Sequence, residues 1–181
     1  METTLKNHVD HHRLLIKEAW RLIQPELEKT FSLSLNEWYF VHNLVLKHDV
    51  SKYSEEELYG YAQWFYSLHK DKDLFNCALV HHYNCNPHHW QYWLLVDTCV
   101  RDSGIVKPVK MPLTYTIEMM LDWTAMSMEK KDSGPGSFYA SQSGEMALHK
   151  VTRESIGRSI HLFDEMYYKW RETVDGQENR I

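Results

Sequence analysis

Apolar residues recur along this chain every three to four positions, and clean polar–apolar alternation is missing, so the pattern predicts helices from end to end. The first is expected from about Thr4 to Ile23, with Leu5, Val9, Leu15, Ala19, Leu22 and Ile23 on its apolar side. Pro25 marks its end or a kink, because proline lacks the N–H that the helix needs. Ser34 with Glu37 makes a capping box for a second helix, Leu35 to His48. Ser54 with Glu57 opens a third in the same way, carrying the stripe Leu58, Tyr61, Ala62 and Phe65. A fourth begins near Asp73 and reaches His82. Asn86-Pro87 reads as an N-cap followed by a first-turn proline, which puts His88 and His89 in the opening turn of a fifth. After a loop over residues 101–110, Pro112 opens a sixth, and two more are expected over Phe138–Ala147 and Thr152–Thr173. Lys131 to Ser137 is the one flexible stretch.

These elements make an all-α, single-domain bundle of about seven to eight helices. It is expected to span residues 1–174, with a polar tail over 175–181. At 181 residues the chain is long enough to bury a core of its own. A net charge of -5 gives no basic footprint for nucleic acid or an anionic membrane. Three cysteines (Cys77, Cys85 and Cys99) lack Cys-x-x-Cys spacing, and reduced thiols fit a cytosolic protein. No run of 18 apolar residues occurs and the N-terminus lacks a signal-like apolar stretch, so a cytoplasmic location is expected.

The chemistry is concentrated in histidines and acids. His48-Asp49 ends the second helix, His8, His11 and His12 lie on the first, and His81-His82 and His88-His89 follow. Glu118 and Asp122 are four apart and share one face of the sixth helix, as His8 and His12 do on the first. Imidazole with carboxylate suits divalent ions such as Zn, Fe and Mn. Ligand candidates on four or five inward-facing helices outnumber the needs of one tetrahedral zinc, so one six-coordinate ion or two ions are expected. The opening turn of a helix disfavours cations, which argues for neutral, ligand-type imidazoles at His88 and His89. Lys52, three residues past Asp49, is placed to hold a substrate anion beside the metal. His42, His69, His149 and His161 read as ordinary surface or core histidines, and Lys6, Arg13 and Lys17 as a solvated face.

The order His12, His48-Asp49, His82 with His88 or His89, then Asp122 on a helical chain resembles the HD superfamily of metal-dependent phosphohydrolases. His48-Asp49-Val50-Ser51-Lys52 looks like that superfamily's His-Asp-x-Gly-Lys string, with Ser51 in place of glycine, a departure that puts the turn after the dyad in question. The resemblance implies His12, His48, Asp49 and Asp122 as core metal ligands and His82 with His88 or His89 as ligands of a second ion. It implies Lys52 as the phosphate-binding lysine. The Gly-Tyr-Pro signature of the cyclic-dinucleotide branch is absent. Nearly the whole chain also resembles a narrower family of bacterial and phage proteins related to this superfamily. Its marks here are His48–Lys52, His81–Trp93, Met111-Pro112, Glu118–Trp123 and Leu148–Arg153.

Three functions compete at this stage. The first is hydrolysis of a phosphate ester, a nucleotide or related small phosphorylated molecule, with one or two divalent ions (Mn, Zn, Fe, Co or Mg). Asp49 would bridge the ions, Lys52 hold the phosphate, and Glu118 serve as base or as a carboxylate behind a metal-bound imidazole. The second keeps the fold but uses two irons to oxygenate a substrate. The third is a non-catalytic binding module stabilised by metal.

Overall fold

The computed structural model describes residues 1–96 and 106–178. Seven α-helices occur among them: α1 (Glu2–Thr30), α2 (Leu35–Lys47), α3 (Glu55–Tyr66), α4 (Lys72–Cys85), α5 (Leu113–Lys130), α6 (Pro135–Gln142) and α7 (Lys150–Glu178). Short 3-10 turns occupy Val50–Tyr53 and Trp90–Trp93. Strands β1 (Leu94–Val96) and β2 (Val106–Pro108) form an antiparallel pair in which Leu95 faces Lys107. The expected all-α bundle is therefore the observed architecture, with one small hairpin added. Among the described residues no helix is long and apolar enough to cross a membrane. Cys99 and much of the expected 101–110 loop lie outside the described residues.

Helix α5 is the axis of the bundle. Every residue from Thr116 to Ala125 is buried, so the helix is enclosed on all sides rather than amphipathic. It packs against α1, α2, α6 and α7, and its Ile117, Met120 and Leu121 join Ile16, Ile23, Leu27, Ile156 and Phe163 in the main core. A second, smaller cluster of Leu5, Val9, Tyr61, Ala62 and Ala78 joins α1 to the α3–α4 pair. Gly60 permits that pair to close up, since a Cβ there would stand 2.8 Å from the Ala78 Cβ and 3.1 Å from the Leu74 carbonyl oxygen.

Several expected boundaries move. Helix α1 runs past Pro25 to Thr30, because burial of Leu27 in the main core holds the last turn together. The α2 capping box forms as read, the Glu37 N–H donating to Ser34 Oγ and the Ser34 N–H to Glu37 Oε2. Ser54 makes no such box, and Glu57 turns inward instead. Helix α6 starts at Pro135 and ends at Gln142, earlier than expected, with proline in its favoured first turn. The fifth expected helix does not exist. Asn86 closes α4, its N–H donating to the His82 carbonyl, and the chain leaves in a turn closed by the His89 N–H on the Asn86 carbonyl. Arg13 is not simply solvated, because its guanidinium donates to the Leu46 carbonyl at 2.9 Å and caps α2 just before His48.

Candidate metal centre

Four segments converge on Asp49. His12 comes from α1, where His8, one turn earlier on the same face, and His11 are exposed. His48 closes α2, and Asp49 follows in the left-handed region at φ 55°, ψ 20°. That conformation is tolerated by aspartate and concentrates at functional sites. It also resolves how two adjacent residues face one point, which a continuous helix would forbid. Ser51 falls in the following 3-10 turn with no positive φ, so glycine is not required there. His82 comes from α4, His88 and His89 from the turn after it, and Glu118 and Asp122 from α5. The turn explains why both members of the His88-His89 pair point inward: helical neighbours would diverge by about 100°. The Trp93 indole donates to the Pro87 carbonyl at 2.7 Å and fixes this turn.

The distances fall into two groups, and Asp49, a member of the second, touches the first through His48. On one side His12 Nε2 stands 3.0 Å and His48 Nε2 3.8 Å from Asp122 Oδ1, and His48 Nε2 is 3.6 Å from Asp49 Oδ1. On the other, Asp49 Oδ1 is 3.4 Å from His82 Nε2 and 3.6 Å from His88 Nε2, while His89 Nε2 lies 2.8 Å from His82 Nε2. Ligand atoms of Asp49, His82, His88 and His89 all fall within 4.8 Å of one another, as do those of His12, His48 and Asp122. Two nitrogens each about 2.0–2.1 Å from one ion and at right angles would be about 3 Å apart, close to the His82–His89 spacing.

Behind the imidazoles stand carboxylates. Glu118 Oε1 lies 3.1 Å from His48 Nδ1 and 3.3 Å from His88 Nδ1. Glu57, fully buried, reaches His82 Nδ1 and His81 Nδ1 at 2.8 Å each. Glu129 is 4.0 Å from His12 Nδ1. A Nδ1–H directed at a carboxylate leaves Nε2 with its lone pair, the tautomer a metal ligand needs. Glu118 therefore sits behind two imidazoles. Glu57 and Ser51 are site residues that the sequence presents only as a capping-box partner and a turn residue. Three glutamates in a row at residues 55–57 look like an ordinary acidic first turn, and only Glu57, four before Tyr61, is on the inward face. Ser51 accepts from Asn86 Nδ2 at 2.7 Å beside His82.

Electrostatics agree with a cation site. Asp49, Glu57, Glu118 and Asp122 are all buried, against the single ammonium of Lys52, which donates to Asp49 Oδ2 at 2.6 Å. Four carboxylates against one lysine leave three negative charges in the interior, an expensive surplus unless cations offset it. Burial raises the pKa of Asp49, but Lys52 and His48 outweigh it and hold the carboxyl well below its usual range. Burial likewise opposes ionisation of Glu118, yet His88 and His48 bring its pKa down to about 2. Asp122 is depressed further by the His12 hydrogen bond and by His48. Burial lowers the pKa of His82 and, aided by the neighbouring His88 and His82, pulls that of His89 well down. His48 is raised, since Asp49, Glu118 and Asp122 overcome its burial. Anionic carboxylates and neutral imidazoles are the forms that bind a divalent ion, so a cation at His48 has to displace the proton that the carboxylates favour there.

The fit is tested by atoms without partners. His48 Nε2, Asp49 Oδ1 and His88 Nε2 are sealed from solvent and make no hydrogen bond. Buried polar groups are nearly always satisfied, so three such atoms facing one another fit metal ligands. A group formed by His48, His88 and Glu118 is also compact, but it would spend Nδ1 and leave both Nε2 atoms without a partner. Beside the centre a cavity of ≈ 400 Å³ is lined by His12, Asp49, Lys52, His82, His89 and Asp122 at one end.

The remaining motif residues are structural. Thr152 Oγ1 accepts the Met111 N–H at 3.1 Å, and Arg153 donates to the Ser143 and Met146 carbonyls, tying α7 to the preceding loop. His42 accepts from the Trp20 indole at 3.3 Å.

The molecule is thus an all-α bundle with a buried histidine–carboxylate cluster that could hold a divalent metal ion. Its sequence matches the model of a family described as "Family of unknown function (DUF5662)" over residues 1–162, and the chain belongs to that family. The match contains every residue of the cluster. No curated protein and no solved structure matches the chain.

Proposed function

We propose that the centre binds two divalent cations bridged by Asp49 and hydrolyses the phosphate ester of a small molecule, in the manner of the HD phosphohydrolases that the chain resembles. His12, His48 and Asp122 would complete the site of one ion, and His82, His88 and His89 that of the other. The observation that carries this reading is the trio of buried, partnerless atoms His48 Nε2, Asp49 Oδ1 and His88 Nε2. When bound, the ions supply Lewis acidity and a water of lowered pKa. Glu118 and Glu57 would fix the imidazole tautomers, and Asp49, whose other oxygen accepts from Lys52, would be among the residues that hold the cations. Lys52 keeps its charge because Asp49 more than offsets the cost of burial, and two of its three N–H donors are left for a phosphoryl oxygen. In the reaction the oxygen of water forms the new bond to phosphorus. The ester P–O bond breaks with its electron pair going to the organic oxygen, and a proton from the water ends there.

Protein loaded in turn with Mn, Zn, Fe, Co and Mg should cleave a phosphomonoester with at least one of them. Asp49→Ala should abolish that turnover. A loss of less than about tenfold is incompatible with a bridging ligand.

The nitrogen-rich set His82, His88 and His89 gives a di-iron oxygenase some support, since imidazole also suits iron. Iron-dependent visible absorbance with oxygen uptake would favour it, and colourless protein active with manganese would exclude it.

A further inference from the structure

Resting on the phosphohydrolase reading, we propose that the cavity beside Asp49 takes a phosphomonoester whose organic part is apolar and about one ring in size. Lys52, Tyr61 and Tyr83 would donate to the phosphate, and Phe65, Tyr66 and Met126 would form the wall against the organic group. The cavity, ≈ 400 Å³, falls in the small-molecule range of about 300–1,000 Å³. Its metal end is polar, while Leu5, Val9 and Leu79 join the three wall residues in a mainly apolar remainder that also includes His8, Glu129 and Lys130.

The donors cluster at the boundary between the two ends. The Lys52 ammonium lies 5.5 Å from the centre of the Tyr61 ring, Tyr61 packs 5.6 Å from His82, and Tyr83 5.1 Å from His89. Both phenols line the cavity, and neither hydroxyl has a hydrogen-bond partner among the described residues. A phenol is protonated at neutral pH, so each is a donor. Neither hydroxyl is sealed from solvent, so water can meet each of them and a phosphoryl oxygen bound beside Lys52 would take its place.

The lining offers little to a second phosphate. His8 pairs with Glu129 at 3.3 Å, and Glu129, 4.0 Å from His12 Nδ1, adds negative charge that offsets Lys130 in the same wall. Sugar hydroxyls set against Phe65 and Met126 would lose water and gain no hydrogen bond from those two side chains, a poor exchange. Phe65 and Tyr66 are 55% and 37% exposed, so their rings are only partly spent on the core.

The test separates binding from turnover. The full chain loaded with manganese is titrated with inorganic phosphate, phenylphosphonate, ribose 5-phosphate and pyrophosphate, and hydrolysis of phenyl phosphate and ribose 5-phosphate is followed in parallel. Phenylphosphonate should bind at least about tenfold tighter than phosphate. Phe65→Ala should bring that ratio toward one. Tyr61→Phe and Tyr83→Phe should each weaken phosphate about three- to tenfold, the worth of one hydrogen bond. Tightest binding by ribose 5-phosphate or pyrophosphate, or wild-type phosphate affinity in both tyrosine variants, overturns the assignment. Tight phenylphosphonate binding with no ester cleaved by any metal form supports the ligand class and refutes the hydrolase. Preferred cleavage of ribose 5-phosphate does the reverse.

Discussion

The two histidine groups that flank Asp49 are built by different means. His12, His48 and Asp122 hang from α1, α2 and α5, long helices locked together through the main core. His82 belongs to α4, which packs against α3 and a far smaller cluster, and His88 and His89 to the turn beyond it, whose Trp90 and Trp93 rest against the edge of the main core. The first group is positioned by apolar burial at long range. The second depends on local devices: the Gly60 close approach, the Glu57 carboxylate and the Trp93–Pro87 hydrogen bond. A site can thus draw half its precision from the fold as a whole and half from a few hydrogen bonds.

That contrast can be broken from either side. Met120→Ala, in the middle of α5, should cost about 2–5 kcal/mol of global stability by opening a cavity in the main core. Denaturant unfolding would measure it, and a cost below about 1 kcal/mol would mean that α5 is not the rigid support described. Glu57→Gln keeps the side chain's volume but cannot serve both His81 and His82 as acceptor. It should weaken one of two bound ions about 10–100-fold, roughly 1.4–2.7 kcal/mol, while the other stays near wild type. Chelator competition resolves the two phases, and equal weakening of both would erase the proposed division. Gly60→Ala forces apart α3 and α4 at a cost of about 1–3 kcal/mol. Its metal defect should resemble that of Glu57→Gln, and a defect confined to the His12 side would contradict the assignment of α4 to the second group.

Much of this was legible in the sequence where periodicity is long. Helices α1, α2, α5 and α7 follow from apolar spacing, and the i, i+4 relation of Glu118 and Asp122 puts both on the inward side of α5. The Asn86–Trp93 turn was not legible, because Asn-Pro serves equally to open a helix and to leave one. Its reading as a helix start would have separated His88 from His89, whereas the turn brings both to the cluster. Three-residue strands such as Leu94–Val96 carry too little alternation to register, and three successive glutamates concealed Glu57.

The central claim is that Asp49 is a carboxylate shared between two cations, and elemental analysis of the purified chain tests it most directly. The account predicts close to two divalent ions per wild-type chain, falling to one or none in Asp49→Ala with the fold intact by circular dichroism. A wild-type chain that takes up no metal from any of the five ions, or an Asp49→Ala chain that retains the full complement, would contradict it.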